Sequence, residues 1–136
     1  LRMDKRTAHE IVTLVQWHDR DIPRTEKAIA RAVHQLGEDT FRRLLAIKRA
    51  DNLAQHPDYR GRLTEIDRAE AILDGLLAKQ ACFSLRDLAV NGGDLLALGL
   101  RGPAVGEALN ALLEQVLDGT LPNEREALLD AVRRLP

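Results

Sequence analysis

Apolar residues recur along the chain at helical spacing, broken at intervals by proline, glycine and capping residues. Thr7-x-x-Glu10 reads as a capping box, followed by Ile11, Leu14, Val15 and His18 at i, i+3, i+4 and i+7. The run Asp19-Arg20-Asp21-Ile22-Pro23 ends that helix. A second helix is expected from about Thr25 to Leu36, with Ile29, Val33 and Leu36 inward and Gly37 beyond its end. A third starts near Asp39, carries Phe41, Leu44 and Leu45, and reaches Ala54 before the break at His56-Pro57-Asp58. The fourth, about Gly61 to Gln80, has the cleanest period in Leu63, Ile66, Ala69, Leu73, Leu76 and Leu77.

Beyond residue 80 the texture changes. Six of the nine glycines lie between Gly92 and Gly119, and the elements shorten. Ser84-x-x-Asp87 caps a short turn, Asn91-Gly92-Gly93 reads as a tight loop, and Asp94–Leu98 as a one-turn helix closed by Gly99. Gly102-Pro103 starts a longer helix that ends at Gly119, because proline suits the first helical position. Asn123-x-x-Glu126 is expected to cap a last helix with Leu128, Leu129, Val132 and Leu135 on its apolar face. The pattern therefore predicts an all-α, two-lobed array of six or seven helices: a helical body over residues 1–80 and a small helix-hairpin-helix-like lobe over 81–136, with the fourth helix connecting them.

Composition supports helix over sheet. Among the 136 residues, 24 are Leu and 18 are Ala while aromatics make up 3%. The net charge of −1 argues against binding by bulk positive charge, though not against a local basic patch. Residues 1–80 hold 15 basic and 13 acidic side chains and residues 81–136 hold 5 and 8, too small an asymmetry to assign a partner to either half. No run approaches the roughly 20 apolar residues of a membrane span. A single cysteine, Cys82, cannot form an intrachain disulfide, so a cytosolic, soluble protein is expected. The opening Leu1-Arg2-Met3 reads as the start of a piece excised from something longer.

Three constellations could carry chemistry. Lys48, Asp51, Asn52 and Gln55 share a helix side with Phe41, Leu44 and Leu45, a stripe that turns polar midway and so suggests a polar pocket or a second lobe meeting the helix. Asp51 there reads as a metal ligand or as a salt-bridged or capping residue. His9, His18-Asp19 and Asp51 spell the outline of a metal-dependent phosphohydrolase, but His9 and His18 point from opposite sides of one helix. In the third, Leu98–Gly106, a glycine-bearing turn enters a helix at proline. It would either aim amides, a positive dipole end and Arg101 at a phosphate or serve as a plain helix–turn–helix corner. Gly106, one turn into that helix, permits close approach by another backbone.

From Cys82 the text Asn91-Gly-Gly-Asp-Leu, Leu98-Gly, Gly102-Pro-Ala-Val-Gly and Leu121-Pro-Asn-Glu-Arg-Glu, in that order, resembles the C-terminal RNA-binding region of bacterial CCA-adding tRNA nucleotidyltransferases over about residues 81–130. The first lobe resembles the later part of an HD-type helical domain, with Lys48 and Ala50-Asp51 similar to its last Asp helix and Leu14-Val15-x-x-His18-Asp19 to the helix before. Asp51 is the one metal ligand the resemblance carries over. It implies a separate N-terminal head that holds Mg²⁺ and CTP or ATP, with no cofactor in this segment. It also implies that the tail grips the tRNA acceptor stem and elbow. The contacts it points to are Lys79, Arg86, Asn91, Gly92, Gly93, Gly99, Arg101, Gly102 and Gly106, reaching phosphates and 2′-hydroxyls. On this reading the segment positions tRNA and is not catalytic alone. The alternatives are an HD-type phosphohydrolase fragment and a helical homodimerisation module.

Overall fold

A computed structural model describes residues 4–54 and 62–135. These contain seven α-helices and a single 3₁₀ turn, with no strand among the described residues. Gln55, the break at His56-Pro57-Asp58, Gly61 and the opening Leu1-Arg2-Met3 lie outside them. The chain forms two compact units, Leu1–Ala78 and Lys79–Pro136.

The first unit holds α1 (Lys5–His18), α2 (Glu26–Leu36), α3 (Glu38–Ala54) and α4 (Arg62–Ala78). Its core is made where α2, α3 and α4 pack on one another. Ile29 and Val33 of α2, Phe41, Leu44 and Leu45 of α3, and Ile66, Ala69, Leu73 and Leu76 of α4 are buried. Thr25 caps α2 by accepting from the Ala28 amide at 3.1 Å. Gly37, at φ +84°, turns the chain within one residue into α3. Arginines of α3 reach across to carboxylates of α4: Arg42 to Asp74 at 2.8 Å, and Arg49 to Asp67 at 2.7 Å and Glu70 at 3.1 Å.

Helix α1 departs from expectation twice. Its cap is Asp4, whose carboxylate accepts from the Thr7 amide at 2.7 Å, so Thr7 already sits inside the helix and makes no capping box with Glu10. Those hydrogen bonds from Thr7 hold the Asp4 carboxyl below the usual carboxylate range. Its apolar stripe is also largely outside: α1 buries no residue, Ile11 and Val15 are exposed, and Leu14 and His18 are half-buried. The cause is that α1 packs chiefly on one helix, α3. Polar ties fasten it there. Glu10 pairs with Arg43, and the half-buried Lys48 ammonium donates to the carbonyls of His18 (3.2 Å) and Arg20 (2.6 Å), closing the C-terminal end of α1.

The second unit holds the 3₁₀ turn Leu85–Asp87, α5 (Gly92–Ala97), α6 (Pro103–Leu117) and α7 (Arg125–Arg133). Helix α6 packs against α5, α7 and the turn, burying Leu95, Ala108, Leu112, Leu113, Leu117, Leu128 and Val132 around it. Leu135, expected on the inward face of α7, is instead exposed beyond that helix's end. The expected Asn91-Gly92-Gly93 loop is the cap and first turn of α5. Asn91 accepts from the Asp94 amide at 3.0 Å and Asp94 accepts from the Asn91 amide at 2.8 Å. Asn123 does not cap α7 with its side chain. Its carbonyl accepts from the Ala89 amide at 2.8 Å and its amide donates to the Asp87 carbonyl at 2.7 Å, so a residue before α7 ties down a segment 34 to 36 residues earlier.

Two substitutions test this packing. Phe41→Ala removes the largest fully buried side chain of the first unit and is expected to cost about 3–5 kcal/mol in denaturant unfolding. Asn123→Ala strips the Ala89 amide and Asp87 carbonyl of their partner. It should destabilise the second unit by about 1–3 kcal/mol, whereas a loss under about 0.5 kcal/mol would show that water replaces both bonds.

Candidate nucleic-acid interface

The α5–α6 corner is built by its end caps. At the end of α5 the Gly99 amide donates to the Leu96 carbonyl at 3.0 Å and the Leu100 amide to the Leu95 carbonyl at 3.2 Å, the paired bonds of a Schellman cap. That cap demands a left-handed residue, and Gly99 supplies it at φ +102°. Gly102, at φ +58°, then redirects the chain into Pro103 at the first position of α6. No side chain caps α6, so the positive end of a 15-residue helix is dressed by backbone alone.

Arg101 sits exposed in this corner. One of its terminal nitrogens donates back to the carbonyls of Leu96 (2.8 Å) and Leu100 (2.7 Å). Arg101 thus buckles the turn as well as charging it. A guanidinium has five N–H donors, and this buckle engages one of its three nitrogens. Around Gly99, Gly102 and Gly106 the outward space is open: a methyl added at any of them would meet no other atom within 4 Å. Gly92 lies close to the same corner, since a methyl there would stand 3.5 Å from Val105 at the start of α6. At Gly93 it would press on the Asn91 cap oxygen at 3.2 Å. The structure therefore gathers Gly92, Gly99, Arg101, Gly102 and Gly106 near one corner. Asn91 and Gly93 stand at the head of α5, Arg86 is exposed on the 3₁₀ turn, and Lys79 is exposed at the start of the unit.

Arg125 escaped the sequence reading. At the first position of α7 it pairs with Asp94 at 2.9 Å, holding that carboxyl below the usual range together with the Asn91 amide. No spacing rule joins residues 31 apart, so only the fold exposes the pair.

In the first unit, the polar stripe of α3 does open on a cleft of about 590 Å³, which has His18, Asp19, Asp21, Lys48, Asp51 and Asn52 among its lining residues. Asn52 is 3% exposed, the sole buried polar residue among the described ones, and Asp51 is exposed at the rim. Burial pushes the Lys48 ammonium pKa down, while Asp21, Asp19 and Asp51 partly offset this. His9 lines a different groove, with Arg6, Glu10 and Arg43. Among the described residues no three His, Cys, Asp or Glu side chains converge as metal ligands. Three of the carboxylates lining the cleft have a basic neighbour: Asp19 lies 3.2 Å from His18, and Arg24 reaches Asp21 at 2.7 Å and Glu65 at 3.5 Å. No described helix is long and apolar enough to cross a membrane. Cys82 is buried, which pushes its thiol pKa up.

Comparison with known proteins extends the likeness beyond the residues that first carried it. The family described as tRNA nucleotidyltransferase domain 2 matches residues 1–132. The chain is similar to the CCA-adding enzyme of Limosilactobacillus fermentum, 48% identical over 50 residues, which are 36% of this chain and 12% of that protein. The CCA-adding enzyme of Streptococcus mutans is 30% identical over 118 residues, 85% of this chain and 25% of that protein. That of Lacticaseibacillus paracasei is 49% identical over 47 residues, 34% of this chain and 12% of that protein. The chain thus spans a quarter or less of the length of these relatives. No solved structure matches it. The resemblance read from Cys82 onward is borne out, and the chain belongs to the tRNA nucleotidyltransferase domain 2 family.

Proposed function

We propose that this chain is the tRNA-holding part of a CCA-adding tRNA nucleotidyltransferase. It grips the sugar–phosphate exterior of the acceptor stem and elbow, while Mg²⁺, CTP or ATP and the bond-making groups belong to another part of the enzyme. Gly106 carries the reading. A glycine inside a helix costs roughly 0.5–1 kcal/mol relative to alanine. At Gly106 nothing in the chain demands it: φ is not positive and the space where a methyl would sit is open. Gly99, Gly102 and Gly106 each leave open space at the Cβ position, close to Arg101 and the start of α6, which no side chain caps.

Such open space suits a polyanionic backbone. Phosphate oxygens accept from amides and guanidinium donors at a helix N-terminus, and the open space lets the ribose edge come close. A-form RNA hides its major groove, so contact to phosphates and 2′-hydroxyls reads shape over sequence. Five basic against eight acidic side chains over residues 81–136 imply modest affinity, steep in salt.

Gly75 in α4 is open in the same way but lies in the first unit, and serves as the control. Gly106→Ala and Gly75→Ala should each raise stability by about 0.5–1 kcal/mol in thermal unfolding. Only Gly106→Ala should also weaken binding of a folded tRNA transcript, several-fold, in low-salt titrations. Equal binding by the two variants would remove α6 from the interface. Arg101→Gln should lower the salt slope of log Kd by about one as a phosphate contact is lost. An unchanged slope would leave Arg101 only its buckle across Leu96 and Leu100.

A further inference from the structure

A six-residue helix has too few hydrogen bonds to persist by itself, so whatever sets the direction of α5 also sets the corner at its far end. The cap at Asn91 and Asp94 closes the helix but does not orient it. Leu95, fully buried, packs α5 on α6, and the start of α7 adds the polar ties that hold its head. Arg125 reaches Asp94 at 2.9 Å, and Asn123, two residues before it, holds Asp87 and Ala89 on the other side of Asn91. Asp94 serves two partners with separate oxygens: one accepts from the Asn91 amide at 2.8 Å and the other takes the Arg125 guanidinium. Its side chain is only 18% exposed, whereas that of Arg125 is 56% exposed.

The geometry points to Arg125 as a positioning residue for the tRNA-binding corner: it locks α5 through Asp94, and thereby fixes Leu98–Gly102, without itself contacting phosphate. This rests on the tRNA reading above. An exposed arginine on a nucleic-acid-binding lobe would ordinarily be taken for a phosphate contact. The two roles part on salt dependence. A lost phosphate contact flattens the salt slope, whereas a misplaced corner weakens binding equally at every salt concentration while the number of neutralised phosphates stays the same.

The test uses the full 136-residue chain and a folded tRNA transcript lacking its 3′ CCA, titrated at several KCl concentrations and well below the unfolding temperature. Arg125→Gln is expected to weaken binding about threefold at each salt with the parent slope, and Arg125→Lys to recover most of the loss, in keeping with the modest worth of an exposed pair. In the free protein, amide exchange at Leu95, Leu98 and Leu100 should rise about threefold in Arg125→Gln while Leu113 and Leu128 keep their protection. A slope reduced by about one with exchange unchanged would make Arg125 a phosphate contact and overturn the proposal, as would parent-like binding and exchange. Failure of the tRNA reading looks different: the parent chain itself would not bind the transcript, and the inference would fall with it.

Discussion

A helix of six residues survives only if something outside it supplies the order its own hydrogen bonds cannot. In this chain α6 supplies it by burying Leu95, and Arg125 adds to it through the Asp94 carboxylate, which holds the Asn91 amide with one oxygen and Arg125 with the other. The corner that follows, with Gly99 and Gly102 in left-handed backbone and Arg101 buckled across Leu96 and Leu100, inherits its placement from that packing and that carboxylate. Residues 83–125 are thus joined by a relay of short polar links: Asp87 accepts from Phe83 and Ser84, Asn123 bridges Asp87 and Ala89, and Arg125 reaches Asp94. Apolar burial around α6 makes this unit stable, and the relay makes it specific in shape.

The first unit is ordered the other way. Phe41, Ile29, Leu44 and Leu73 form a core shared by three helices, and the ion pairs between α3 and α4 lie on its surface, where such pairs contribute little. Helix α1 is the exception, held by Lys48 and Arg43 more than by its own apolar side chains. Lys48 therefore has a structural task that competes with any reading of it as a ligand contact: its donors already serve the carbonyls at the end of α1.

What the sequence disclosed and what it hid follow from range. Features decided within four residues were readable: Thr25 and Gly37 around α2, Pro103 opening α6, the left-handed glycines, and the heptad-like stripe of α4. Even there a nearby competitor could mislead, as when Asp4 took the cap that Thr7 suggested, or when two glycines disguised the first turn of α5 as a loop. Features decided across tens of residues were not readable. The pairing of Asp94 with Arg125 and the double bond from Asn123 need the fold before they exist, and so does the exposure of Ile11 and Val15. At the candidate interface, the motifs Asn91-x-x-Asp94 and Leu121-Pro-Asn123 were visible as text, but the fact that they meet was not.

The glycine content of the second unit gives that meeting its meaning. Each glycine raises the entropy lost on folding, and six between residues 92 and 119 are a considerable cost for so small a core. Three answer to backbone geometry: Gly99, Gly102 and Gly119 have positive φ, where side chains are strained. Gly93 answers to the cap oxygen of Asn91. Gly92 would meet only ordinary contact, and Gly106 would meet nothing, so neither is required by the interior of the chain. A requirement absent from inside the molecule is most simply placed outside it, against a partner whose own backbone must come near. On the function proposed above, that partner would be bare enough to lie flat against the start of α6 and anionic enough to meet Arg101. RNA satisfies both conditions with one repeating group, its phosphodiester.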